Sequence, residues 1–196
     1  MTNQRLGVAL SGGGFRAAFF HIGVLARMAE LDLLRQVESL STVSGGSIIG
    51  VLYYLRLKQL LETRTDDEIT QQDYLKLVAG IEQEFLDDVQ KNLRLRTFSN
   101  IWQNLKMSMP SYSRSDRIGE LYDRYIFRNA WKEPRDTPIM MKELKIFPKI
   151  AEGEFASSFN PTEGDNDNRE HKVPVLNINA TVLNTGHDWR FTAVDM

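Results

Sequence analysis

A chain of 196 residues with 42% hydrophobic side chains is long enough to bury one sizeable core, and 26% charged residues make disorder the wrong default. The net charge of −2 lacks the basic bias of a nucleic-acid binder, so no nucleic-acid partner is expected. The absence of cysteine excludes disulfides, thiolate metal sites and a cysteine nucleophile.

The N-terminus, MTNQRLGVALSGGG, has no long apolar region or cleavage site of a secretory signal. No stretch approaches the ~20 apolar residues needed to span a bilayer. The protein is therefore expected in the cytoplasm, with any membrane contact peripheral. Residues 6–10 (LGVAL) read as a buried strand that ends at Ser11-Gly12-Gly13-Gly14. Residues 15–31 follow as a helix with so little polar face that it should be mostly buried. Residues 37–43 (VESLSTV) read as a second strand, ended by Ser44-Gly45-Gly46, and residues 47–61 as a second apolar helix. Strand, glycine turn and helix, twice over, predict an α/β fold with parallel neighbours.

The middle is helical and more polar. Thr65 with Glu68 fits a capping box ahead of a segment in which Tyr74, Leu77, Val78, Ile81 and Phe85 recur at helical spacing. A further helix is expected from near Ser113, carrying Ile118, Leu121, Tyr122, Tyr125 and Ile126, and Pro134, Pro138 and Pro148 break the region after it. Residues 157–172 are polar and turn-rich, so a surface loop or mobile segment is expected. Residues 173–183 and 188–194 read as strands flanking a turn at Asn184-Thr185-Gly186.

Both glycine turns open helices at the carboxyl ends of strands, the edge where open α/β sheets bind ligands. A helix N-terminus there suits a phosphate or a developing oxyanion. The second turn, Thr42-Val43-Ser44-Gly45-Gly46, has the logic of a nucleophile elbow, a tight strand-to-helix turn that exposes a serine hydroxyl. It departs from the usual pattern at Thr42, where a glycine is usual. Ser47 is a second candidate, but its position suits capping of the first helical turn. In the first turn, three glycines let backbone N–H groups approach a reacting carbonyl oxygen with no Cβ in the way.

SGGGFRAAFFHIGVL followed by STVSGGSIIG resembles the patatin-like phospholipases, as does PVLNINATVLNTGHDWRFT near the end of the chain. The resemblance covers roughly residues 5–60 and 173–194. It implies a three-layer α/β fold with a central, largely parallel sheet flanked by helices. It also implies a serine lipid acyl hydrolase that cleaves phospholipids or other acyl esters through a Ser-Asp dyad, with no cofactor and no metal. Carried over residue by residue, Ser44 is the nucleophile, Gly12, Gly13, Gly14 and Gly45 form the oxyanion hole, and Arg16 steadies the loop or attracts an anionic head group.

The family's aspartate lies in an Asp-Gly-Gly or Asp-Gly-Ala motif, and no Asp of this sequence is followed by Gly. Asp165 is followed by Asn, Asp188 by Trp and Asp195 by Met. The expectation is a single domain over 1–196, incomplete at its C-terminus, with residues 62–150 a helical insertion and the aspartate beyond the end of the chain. A catalytically dead lipid-binding or interaction module of the same fold is the alternative.

A Rossmann-type dinucleotide site is the third reading, because Gly12-x-Gly14-x-x-Ala17 fits that fingerprint. The second strand, however, ends in Thr42-Val43-Ser44 and has its only acidic residue, Glu38, at the start. His21 reads as a packed core histidine and not a catalytic base, and His171 and His187 show no partner pattern. Asp165, Asp167 and Glu170 lack the spacing of an EF-hand loop.

Overall fold

A computed structural model describes residues 5–90, 114–131, 135–151, 153–156 and 158–193. The chain divides into two compact units, one of Met1–Ala79 with Met140–Met196 and one of Gly80–Ile139.

The first unit is built on a four-stranded sheet. Strand β1 (Leu6–Leu10) leads into helix α1 (Gly14–Glu30), and β2 (Val37–Val43) leads into α2 (Gly45–Thr63). Helix α3 (Gln71–Gln90) starts in this unit and ends in the other. In the second unit, α4 (Arg114–Tyr122) is followed by a π-helical turn, Asp123–Phe127. A short hairpin, β3 (Lys149–Ala151) with β4 (Glu154–Phe155), precedes β5 (Val175–Thr181) and β6 (Asp188–Thr192). The sheet order is β1-β2-β5-β6, with β1, β2 and β5 parallel and β6 antiparallel at the edge. The architecture is thus mixed α/β, a central and mostly parallel sheet flanked by helices.

One face of this sheet meets α2. A Cβ on Gly50 would collide with Thr42 Cγ2 and lie 3.4 Å from Leu10 Cδ1, so the helix can approach this closely only at a residue with no side chain. Leu10, Leu40, Leu176 and the α2 residues Ile49, Leu52 and Leu57 are all buried. Burial of one such aliphatic side chain contributes about 1.5–3 kcal/mol, so this layer is a large contribution to the unit's stability.

Helix α1 is less buried than its composition predicts. Ala18, His21, Ile22, Leu25 and Ala29 are buried, a stripe with helical spacing, while Phe20 is 69% exposed. A helix lying on one neighbour can hide only one stripe, however apolar the rest of it is.

The Thr65–Glu68 capping box forms, with Thr65 N–H donating to Glu68 Oε2 at 2.9 Å, but it caps a single 3₁₀ turn, Asp66–Glu68. The start of α3 is instead capped by Asp73, whose Oδ2 accepts from Thr70 N–H at 3.0 Å and Thr70 Oγ1 at 2.9 Å. In the second unit, Phe85, Leu121 and Ile126 are buried, and Asp123 accepts from Arg128 Nε at 2.6 Å and from Ile139 N–H at 3.2 Å. Ser113 and Pro134 lie outside the described residues.

The polar segment before β5 is tied to the rest of the unit at several points. Asn166 donates to Val173 O at 2.8 Å and accepts from Val173 N–H at 2.9 Å. Arg169 pairs with Asp66, and Lys172 N–H donates to Arg35 O at 2.8 Å. His171 is buried and shares a 3.1 Å hydrogen bond with the hydroxyl of buried Tyr74. Composition alone concealed this, because Arg169, Lys172 and His171 find their partners far away in sequence.

Candidate active site

The ends of β1 and β2 are neighbours, paired Leu10 with Thr42, so the two glycine turns lie side by side. A Cβ on Gly45 would overlap the Gly14 carbonyl, and one on Gly46 would overlap the Leu10 carbonyl. The first turns of α1 and α2 therefore meet through bare backbone. Two helix N-termini, each a partial positive charge with unpaired N–H groups, converge on one edge of the sheet.

Ser44 sits at that junction in a conformation that serine rarely adopts, with φ 52° and ψ −120°. Holding a non-glycine residue there costs about 1–3 kcal/mol, and such strain persists only where surrounding contacts impose it. The residue is exposed, and its side chain makes no capping hydrogen bond to α2. That argues against the plain reading of Ser44 as a helix cap. Ser47 is committed elsewhere, since its hydroxyl donates to Thr42 Oγ1 at 3.1 Å. The expected capping of the helix by Ser47 is thus replaced by a side-chain contact back into β2.

The first turn lies against the serine. A Cβ placed on Gly12 would be 3.2 Å from Ser44 Cβ and 3.8 Å from Ser44 Oγ. Gly13, at φ 144°, is the N-cap of α1, and Gly14, at φ 63°, opens the helix. Arg16 is exposed in the first turn of α1. The structure thus brings together Gly12, Gly14, Ser44 and Gly45. His171 and the small cavity lined by Tyr54, Ile146, Val173 and Ala193 belong elsewhere. Val173 precedes β5, so that cavity lies toward the opposite end of the parallel strands from Ser44.

The bracing hydrogen bonds of three residues behind the turns escaped the sequence reading. Thr42 is buried, and its Oγ1 donates to Asn177 O at 3.1 Å. Asn179 Nδ2 donates to Thr42 O and to Ser41 Oγ, both at 2.9 Å. His21, read as core packing, is indeed buried, but its Nε2 donates to Ser11 O at 2.9 Å. The one signal for the asparagines was their i, i+2 placement in VLNINAT, two polar residues on one face of a strand.

Among the described residues, no group of three or more His, Asp or Glu side chains could hold a metal, and no helix is long and apolar enough to cross a membrane. A comparison with family models matches residues 8–181 to the model described as patatin-like phospholipase. No curated protein and no solved structure matches the chain.

Proposed function

The chain belongs to the patatin-like phospholipase family, which makes it a lipid acyl hydrolase in general terms, and from that premise we propose that Ser44 is its nucleophile. The observation that carries the proposal is the strained, exposed Ser44 at the meeting point of two helix N-termini. The hydroxyl attacks the acyl carbonyl of a phospholipid or another acyl ester. The negative charge that develops on the carbonyl oxygen is met by backbone N–H groups of Gly12, Gly13, Gly14 and Gly45, and each such donor contributes about 2.7–4 kcal/mol to the transition state. The alcohol leaves, and water then releases the acyl group from Ser44.

Serine reacts only when a base takes its proton. The proposal follows the family in giving that role to an aspartate, with no histidine between. No Asp of this sequence is followed by Gly, so none of the aspartates of residues 1–196 is assigned that role. Arg16, exposed beside the glycine turn, is assigned to an anionic head group or to support of the loop. Both compact units are read as parts of one domain.

Peripheral contact with a lipid surface completes the reading. Val43 is level with Asn179, so the β5–β6 turn projects beyond Ser44 along the sheet. Leu183 at its tip is 97% exposed, and Trp189 on its flank is 56% exposed. These side chains suit the boundary between headgroups and acyl chains.

The test is release of fatty acid from phosphatidylcholine vesicles by the full-length protein. Wild type should release it and Ser44→Ala should not. Release by the alanine variant at the wild-type rate would remove Ser44 from the mechanism.

A further inference from the structure

Glycine-rich loops have a specific weakness as oxyanion sites. A peptide flanked by glycine can turn over at little cost, and the flipped form presents a carbonyl where an N–H is needed. The Ser11–Gly12 peptide is of this kind, and it lies against Ser44. One buried side chain grips it. His21, on α1 and 4% exposed, has Nε2 2.9 Å from Ser11 O. A carbonyl oxygen only accepts, so Nε2 carries the proton. Ser11 Oγ, at 3.4 Å from the same nitrogen, is a distant second partner.

We propose that His21 is a positioning residue that locks the Ser11–Gly12 peptide with its N–H turned toward the oxyanion position. The proposal rests on Ser44 being the nucleophile. In a trans peptide the C=O and N–H point in opposite directions. No cis bond occurs among the described residues. Fixing Ser11 O toward α1 therefore fixes Gly12 N–H away from it. The same carbonyl lies close to Gly46 of α2, where an added Cβ would be 2.7 Å from it, so α2 as well as His21 hems it in. Leucine would fill the volume of His21 equally well on an otherwise apolar stripe. The imidazole adds a donor at the reach of Nε2 that leucine lacks.

Two variants separate donation from packing. Glutamine places an amide nitrogen close to the position of imidazole Nε2, whereas asparagine is too short and reaches only the position of Nδ1. In the full-length protein, hydrolysis of p-nitrophenyl butyrate is measured alongside thermal unfolding. His21→Asn should lower kcat about 100-fold with KM little changed, the signature of a lost transition-state donor, while His21→Gln stays within about tenfold of wild type. Equal loss in both variants, or a kcat for His21→Asn that matches wild type, overturns the proposal.

If the wild type shows no Ser44-dependent turnover, the Ser44 reading fails separately. Crystal structures then decide the positioning role. A Ser11–Gly12 peptide turned over in His21→Asn and native in His21→Gln supports it, and a native peptide in both removes it. If His21→Asn does not fold, comparison of His21→Gln with His21→Leu replaces it, and equal kcat in those two overturns the proposal.

Discussion

Asn179 Nδ2 donates to the Thr42 carbonyl at 2.9 Å, so a side chain from β5 holds the backbone two residues before Ser44. The same amide reaches Ser41 Oγ at 2.9 Å, and Thr42 in turn donates to Asn177 O. The strained turn is thus braced by a strand more than 130 residues later in sequence. Asn179→Leu keeps the volume and removes both donations. It should lower stability by about 1–3 kcal/mol, the loss of two hydrogen bonds worth about 0.5–1.5 kcal/mol each. It should also slow ester hydrolysis more than tenfold at a temperature where the variant is fully folded, by relaxing Ser44. Thermal unfolding and kcat measured together check this, and unchanged kcat in the folded variant would leave Asn179 a purely structural residue.

Two glycines a few ångströms apart should respond differently to alanine. At Gly45 the new Cβ would overlap the Gly14 carbonyl, which is backbone and has no rotamer to escape into. Gly45→Ala should therefore separate the two helix starts and abolish soluble expression or activity. At Gly14 nothing lies within 4 Å, and the only penalty is its φ of 63°. Gly14→Ala should fold with a loss of about 1–2 kcal/mol. Comparable stability of the two variants would show that the turns are not in contact.

The buried His171 makes stability depend on pH. Burial holds its pKa below the ordinary 6.5. The unfolded chain therefore binds a proton that the folded chain refuses. Stability should be full above about pH 6.5 and should fall as the pH drops below it toward the folded value. His171→Gln should flatten that slope, measured by urea unfolding between pH 7.5 and 5.5. A wild-type midpoint independent of pH across that window would contradict the assignment.

Contact with lipid can be tested at the tip of the hairpin. Leu183 is almost fully exposed, so Leu183→Asp should not disturb the fold. Losing the burial of one leucine, worth about 1.5–3 kcal/mol, should weaken sedimentation with phosphatidylcholine vesicles at least tenfold. Equal binding would place the lipid contact elsewhere on the molecule.

The first sixty residues announced their structure because both signals there are local. LGVAL and VESLSTV are short apolar runs closed by glycine, and β1 and β2 occupy those residues. Helix α2, read from residue 47, starts two residues earlier, because Gly45 and Gly46 join the helix where the backbones of the two turns meet. The supports of the turns were not legible, since Asn179 to Thr42 and His21 to Ser11 join residues brought together only by the fold. The hairpin β3–β4 was missed for a different reason. Its strands of three and two residues are too short to carry an alternating pattern.

The central claim is that Ser44 is the reactive serine, and covalent labelling tests it most directly. The full-length protein is treated with a fluorophosphonate probe, digested and mapped by mass spectrometry. The account predicts one modified site, Ser44, with labelling abolished in a Ser44→Ala variant whose thermal unfolding is close to wild type. Labelling that persists in the alanine variant, at Ser47 or any other serine, would contradict it.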